Sequence, residues 1–372
     1  MSVIWIINIL SVFTLCVFLA GIVIPQILLI AFRRRLFDEP NERKIHQCVV
    51  PRLGGIAFKP VVCFSLALVL AVNVSAGHRE LLIEIGAEAL PLAYALCAII
   101  MLYLVGIADD LIGVRYIAKF FIQVLCGVML VCGGVVLCDM HGMLFLDALP
   151  WWAGLPLTVF ATVFIINSIN LIDGIDGLAS GLCSIAFLFY GLTFIWFHRY
   201  VYAMLSFATL GVLVPFYYYN VFGNAERGRK IFMGDTGSLT IGIMLCFLSM
   251  EVAHLPAGDA YRHLNPFVMA FAPLLVPCFD VVRVYMHRVR NGRNPFLPDK
   301  NHIHHKLLAM GMRQRVAMVA IVAASTMLTL LNILFSSSIS PTLLLCIDIA
   351  VWSGANIIIS GRIRRRMKTG GE

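Results

Sequence analysis

Five stretches of this 372-residue chain gather the side chains able to do acid, metal or phosphate chemistry. They read NERKIH…VPRLGG (41–55), GIADDLIGV (106–114), NSINLIDGIDGLASG (167–181), IFMGDTGSL (231–239) and NPFLPDKNHIHH (294–305). Asp109 with Asp110, Asp173 with Asp176, and Asp235 all stand at the ends of apolar runs. A charge beside hydrocarbon is costly unless it faces a cavity or a partner, so each is a functional candidate. Several acids among an excess of basic residues suit Mg²⁺ and phosphate. That ion keeps several waters, takes one or two carboxylates and leaves its other positions to substrate oxygens. Asn, Asp and Gly also cap helices and shape turns everywhere. Clustering, and not any single Asp-Gly, carries the chemical reading.

Spacing adds detail. Asn167, Asn170, Asp173 and Asp176 recur every third residue and would share one face of a continuing helix. Gly174 and Gly177 would let a ligand approach the backbone closely. His302, His304 and His305 leave three readings open: phosphate or sugar contacts, a solvated loop, or zinc, although closing ligands at a definable spacing are not apparent. GDTGS lacks the lysine of a GxxxxGK[ST] loop and is not one. Asp280 and Arg283 are spaced to pair with each other, and Asp348 reads as a hydrogen-bonded structural carboxyl.

The elements that hold these residues must lie in a bilayer. The chain is 60% hydrophobic and 13% charged, against roughly 45–50% and about 25% in soluble domains. Aqueous multidomain folds, disorder and disulfide scaffolds are thereby excluded. The 11 cysteines form no CxxC pair and read as small hydrophobes. Runs near spanning length, roughly 20 residues each, fall at 3–31, 53–76, 89–107, 117–137, 155–171, 178–197, 201–221, 237–253, 265–285, 315–335 and 341–360. The expected fold is all-α, a polytopic integral membrane protein of about 11 transmembrane helices. It reads as a single domain over residues 1–372 with no repeat. The first run is too long, and lacks the preceding basic residues, for a signal peptide.

The net charge of +8 matters less than its distribution. One set of connections holds 24 of the 28 Lys and Arg residues, among them Arg33–Arg35, Arg52, Arg115, Lys119, Lys230, Arg283, Lys306 and the tail at 362–368. The alternate set holds Arg79, Arg199 and Arg262, and Lys59 lies inside a span. The positive-inside rule makes the first set cytoplasmic. The amino terminus is then outside, the carboxyl terminus inside, and all five polar stretches share the cytoplasmic face. Such convergence suggests one site built from many helix ends.

Together, GIADDLIGV, NLIDGIDGLASG, FMGDTGSL and PDKNHIHHKLL resemble the polyprenyl-phosphate N-acetylhexosamine-1-phosphate transferases in order, spacing and topology, from about residue 33 to the last span. The PDKNHIHH loop is most similar to that of the bacterial UDP-N-acetylglucosamine–undecaprenyl-phosphate N-acetylglucosamine-1-phosphate transferases. The branch that moves phospho-N-acetylmuramoyl-pentapeptide has a different His-rich stretch. The resemblance implies transfer of N-acetylglucosamine 1-phosphate from a UDP-sugar to undecaprenyl phosphate, with UMP released. This is the first membrane step of an envelope polysaccharide such as the O-antigen of lipopolysaccharide, in the bacterial cytoplasmic (inner) membrane. It implies Mg²⁺, or Mn²⁺ in its place, with the UDP-sugar, undecaprenyl phosphate and membrane lipids as partners. Nucleic acid is not expected, and a homodimer stays open.

By motif, the resemblance assigns Asp109 and Asp110 to Mg²⁺ and phosphate handling, and Asp235 to the metal. Phe232 is to pack near the nucleotide, and Asn170, Asp173 and Asp176 are to position nucleotide and substrate. Lys119 matches a basic residue opening the fourth span, and His302, His304 and His305 match the sugar-phosphate loop. NVFGNAERGRK, before Phe232, departs from the pattern, with Asn220 the best match there. Alternatives are another UDP-N-acetylhexosamine or UDP-N-acetylmuramoyl-pentapeptide as donor, or a transporter of anionic substrates. A transporter would place its site near the midplane on broken helices in paired repeats, whereas here the polar clusters lie at one surface. In the implied reaction a phosphate monoester with a second pKa near 6 is mostly dianionic at pH 7 and needs little help from a base. Repulsion between two polyanions is the larger obstacle, so catalysis is mainly positioning and electrostatics.

Overall fold

Long apolar runs can satisfy every backbone N–H and C=O within hydrocarbon by forming helices, and the chain does so. A computed structural model describes residues 2–34, 36, 50–256, 264–292, 294 and 301–369. The NERKIH stretch, Arg262, Arg293 and the PDK of 298–300 lie outside the described residues. The helices are α1 (Ser2–Arg34), α2 (Phe58–Ser75), α3 (Glu80–Ala87), α4 (Ala89–Ile112), α5 (Tyr116–Cys132), α6 (Trp151–Ile172) and α7 (Leu178–Trp196). There follow α8 (Tyr200–Val221), α9 (Gly234–Ala253), α10 (Pro266–Phe271), α11 (Leu275–Arg290), α12 (Ile303–Ala309), α13 (Gln314–Phe335) and α14 (Pro341–Thr369). Among the described residues the only β pairing is an isolated bridge between Asp139 and Ala148.

Among the described residues, ten helical segments are long and apolar enough to cross a membrane. The eleventh expected segment is α5, which at 17 residues is about 26 Å long against a hydrocarbon core of about 30 Å. It ends at Cys132 and not near residue 137, because Gly133 and Gly134 follow, the latter at φ +85°. The expected span over 265–285 corresponds to the apolar segment Pro266–Arg290, which is long enough to cross but irregular inside. Pro273 sits in a 3-10 turn, Ala272–Leu274, that separates α10 from α11, since proline offers no N–H and crowds the preceding turn. The short helices α3 and α12 lie between spans.

Helix α9 is the axis of the molecule. Its 18-residue apolar window is wholly buried, whereas those of α1 and α14 are only 28% and 17% buried inside the protein. Membrane helices approach closely where small residues face each other, and two glycines set the start of α9. A β-carbon on Gly106 of α4 would strike the Thr236 backbone, and one on Gly55 would strike Gly237. The segment 51–55 also pairs with 232–233: Phe232 N–H donates to Pro51 O at 2.9 Å, Gly54 N–H to Phe232 O at 3.0 Å, and Gly55 N–H to Met233 O at 2.9 Å. These contacts bring the acid-bearing end of α4 against the acid-bearing start of α9.

Candidate active site

Four helix ends supply the centre. Helix α4 delivers Asp109 and Asp110 in its last turn, α5 delivers Lys119 in its first, α6 delivers Asn170 in its last, and α9 opens with Asp235. Lys119 Nζ lies 2.7 Å from Asp109 Oδ2 and 3.1 Å from Asp235 Oδ2. Asp109 Oδ1 accepts from Val114 N–H at 2.6 Å. Asp235 Oδ1 accepts from Asn170 Nδ2 at 2.8 Å, and the same amide donates to Ser238 Oγ at 2.8 Å. The Asp235 side chain is 32% exposed and that of Lys119 24%. Two carboxylates therefore share one ammonium at an open cleft, leaving one negative charge unbalanced.

Asp110 turns the other way, as adjacent helical residues must. Its Oδ1 accepts from Asp235 N–H at 2.8 Å, and its Oδ2 accepts from Thr236 N–H at 2.9 Å and from the Thr236 hydroxyl at 2.5 Å. A helix start carries unsatisfied N–H groups and a partial positive charge. Asp110 caps that start from a different helix and so fixes Asp235 in place.

The expectation that Asn167, Asn170, Asp173 and Asp176 share one helical face is corrected. Helix α6 ends at Ile172, and the chain turns through Gly174 to Gly177, which adopts φ +78°. Asn167 points instead to α5, donating to Gln123 Oε1 at 2.7 Å. The turn is pinned by residues far along the chain. Asn220 Oδ1 accepts from Gly177 N–H at 2.6 Å while its amide donates to Ile231 O at 2.9 Å. Lys230 Nζ pairs with Asp176 at 2.6 Å and lies 5.8 Å from the ring centre of Phe232. Asp173 opens onto the cleft. The surrounding protein, and then the charges of Asp235 and Asp176, raise its carboxyl above the usual carboxylate range, with Arg52 pulling the other way.

The histidine loop hangs on Asp280, whose role extends beyond the pair with Arg283 that their spacing predicts. Asp280 of α11 is fully buried. It accepts from Arg283 at 2.8 Å and from Ile303 N–H at 2.9 Å, and it contacts His302 Nδ1 at 2.8 Å. Arg283 also donates to Asn301 O. The signal was an acid inside an apolar run; its partner, 22 residues on, was not legible. The His302 and His304 rings stack at 5.7 Å, and the His304 and His305 centroids lie 4.1 Å apart. His304, 1% exposed, packs its Nε2 edge against Gly174. Burial, then the charges of His305 and His302, pushes it down to about 3. His304 is thus a neutral wedge joining this loop to the turn, and not a cation at pH 7.

No group of three or more His, Cys, Asp or Glu forms a metal-ligand set among the described residues. Asp109 and Asp235, converging on one cation at the cleft, fit an ion that needs only one or two carboxylates and completes its shell with water and phosphate.

Comparison with known proteins bears on what such a centre serves. The description "Glycosyl transferase family 4" matches residues 92–253. The chain is 31% identical over 307 residues to the undecaprenyl-phosphate alpha-N-acetylglucosaminyl 1-phosphate transferase of Yersinia pestis, covering 82% of this chain and 78% of that protein. It is 30% identical over 302 residues to the protein of the same description in Escherichia coli (strain K12), covering 80% and 76%. A probable undecaprenyl-phosphate N-acetylglucosaminyl 1-phosphate transferase of Bacillus subtilis (strain 168) is 32% identical over 305 residues, covering 81% and 77%. The chain belongs to the polyprenyl-phosphate N-acetylhexosamine-1-phosphate transferase family. In this family member the matched stretch runs through α4–α9 and holds Asp109, Asp110, Lys119, Asp173, Asp176 and Asp235. Asp280 and the histidines lie beyond it.

Proposed function

We propose that this chain transfers N-acetylglucosamine 1-phosphate from UDP-N-acetylglucosamine to undecaprenyl phosphate with Mg²⁺, or Mn²⁺ in its place. The site faces the cytoplasm from a bacterial inner membrane, where 24 of the 28 basic residues would lie. The observation that carries the reading is the convergence of Asp109, Asp235 and Lys119 at one cleft in a chain of this family. The names of the relatives favour N-acetylglucosamine over other UDP-N-acetylhexosamines and over UDP-N-acetylmuramoyl-pentapeptide. Family membership favours the transferase over a transporter. The product would begin an envelope polysaccharide, the O-antigen of lipopolysaccharide or a cell-wall polymer.

In the step itself, an oxygen of the lipid phosphate bonds to the sugar-side phosphorus of the UDP-sugar. The bond from that phosphorus to the bridging oxygen breaks, and UMP leaves with the bridging oxygen. The attacking phosphate is mostly dianionic at pH 7, so no proton has to move. Held by Asp109 and Asp235, Mg²⁺ would supply charge neutralisation for the diphosphate. Lys119, already between the two acids, would turn part of its charge toward substrate phosphate once that ion is bound. Asp110 would act on Asp235 alone, through the start of α9. The turn at 173–177, pinned by Asn220, Lys230 and His304, would bear the nucleotide. Phe232 would stack beside the nucleotide with Lys230 at its ring. His302 and His305 would meet the sugar phosphate.

The test uses purified protein, undecaprenyl phosphate and UDP-N-acetylglucosamine labelled in the sugar-side phosphate. Label should enter the lipid with the sugar, UMP should appear in equal amount, added UMP should reverse the step, and chelation should stop it. Release of UDP would mean attack at the sugar carbon and would overturn the reading.

A further inference from the structure

Lys59 stands in the first turn of α2, inside the span over Gly54–Ser75. An ammonium at such depth is costly unless it finds a partner or reaches the interface. Among the described residues it has no ion pair, and its ammonium lies over the Tyr103 ring, 5.1 Å from the centroid. That ring is fixed, because the Tyr103 hydroxyl donates to Ile56 O at 3.0 Å. From Lys59 a cavity of about 180 Å³ runs between α2 and α4, walled by Val62, Leu66, Ala95 and Ile99 and floored by Met244 and Phe247. Helix α2 packs chiefly on α1 and α8, and α4 on α5 and α9, so the seam between α2 and α4 is only lightly packed. Phe64 and Leu96 beside it are 55% and 44% exposed. Water gains little in so apolar a space, and the surrounding solvent is lipid.

We propose that this groove binds an anionic phospholipid, with one acyl chain between α2 and α4 and the phosphodiester on Lys59 Nζ. Charge complementarity selects the headgroup, because no carboxylate among the described residues pairs with the ammonium. The groove is separate from the reacting centre. Tyr103, which Lys59 overlies, lies six residues before Asp109, about 9 Å along α4. A phosphate on Lys59 is therefore not in position to react.

The test takes the full chain in detergent, stripped of lipid, and measures retained lipid by native mass spectrometry with phosphatidylglycerol or phosphatidylcholine. One lysine near a lipid phosphate is worth about 1 kcal/mol, so wild type should prefer phosphatidylglycerol about fivefold. Lys59→Gln should bring that ratio to about one, and Ala95→Phe, which fills the groove, should lower retention of both lipids. Elution profile and melting temperature confirm that each variant is folded. If Ala95→Phe is not, the Lys59→Gln ratio decides alone. An unchanged preference in folded Lys59→Gln would overturn the proposal. So would displacement of phosphatidylglycerol by equimolar undecaprenyl phosphate, which would give the groove to the isoprenoid. Turnover is not the readout, so neither outcome bears on the transferase reading.

Discussion

The centre at Asp235 and the anchor at Asp280 are built from the same materials. Each is a carboxylate on a spanning segment, Asp235 at the start of α9 and Asp280 within α11, met by a cation and by polar groups from elsewhere in the chain. At Asp280 every partner is inward: Arg283, His302 and the Ile303 N–H enclose a side chain with no exposure. At Asp235 the side chain remains 32% exposed and shares its cation with a second acid. A buried carboxylate whose lone pairs are filled fixes structure. One that keeps open lone pairs and an unbalanced charge can take up a metal or a phosphate. Residue type alone does not separate the two roles; leftover valence and access to the cleft do.

The sharpest break between them is Asp235→Asn. Removing that charge should lower turnover by about 10³-fold, the loss seen when a main electrostatic stabiliser is deleted. The melting temperature in detergent should barely move, since an amide can still accept from Asn170. Activity near wild type at saturating Mg²⁺ would remove Asp235 from the metal. Asp348→Asn is the control: Asp348 Oδ1 merely accepts from Asn332 at 3.0 Å between α13 and α14, and turnover should stay within about twofold.

Within the acid pair the contrast sharpens. Asp109→Asn disturbs the Lys119 pair and should cost turnover about 10²-fold with little change in stability. Asp110→Asn removes a charged cap from the start of α9. It should cost turnover and also about 2 kcal/mol of stability, a hydrogen-bonded charge at a helix start being worth that much. Activity and thermal melting measured on both variants give the answer. Equal melting temperatures would mean that Asp110 is not the cap described here.

Asp280→Asn should act more gently, through the loop. Losing the charge that holds His302 should raise KM for the UDP-sugar about tenfold, the worth of a charged hydrogen bond at its lower end, and leave kcat within about threefold. A fall in kcat at unchanged KM would place Asp280 in the chemistry and erase the distinction.

What was legible in the sequence was local. Apolar runs mark the spans, and acids at their ends mark the cleft, because both signals need only neighbouring residues. That Asp109 and Asp110 face different ways follows from helix geometry, but that Asp110 caps α9 was not legible, because it depends on a helix start 125 residues later. The turn at Asp173 was masked by a three-residue spacing that mimics a helix, and Gly174 and Gly177 decide against it. The polar cluster at the opposite end of α9 was not legible either. There Arg199 lies 2.9 Å from Glu88 and 3.6 Å from Glu251, and the Tyr202 hydroxyl donates to Glu88 at 2.7 Å. Those residues are brought together only by packing. The early end of α5 was within reach, since Gly133 and Gly134 stand in plain view.

The smallest expected effect concerns the wedge between the two regions. His304 is 1% exposed, and neither ring nitrogen has a hydrogen-bond partner among the described residues. It is faced by His302 and His305, with Asp280 and Arg283 behind them. Folded, it is pushed from 6.5 down to about 3, so between those values the unfolded chain takes up a proton that the folded protein does not. The stability it contributes is therefore complete above pH 6.5 and is lost as pH falls toward 3. At about 1.4 kcal/mol per unit, lowering the pH to 5 should cost about 2 kcal/mol at most. His304→Gln keeps a neutral polar side chain and removes the titration, so its melting temperature should fall less between pH 7 and pH 5 than that of wild type. Parallel losses in the two proteins would show that acid acts elsewhere, and the wedge would then be no more than packing.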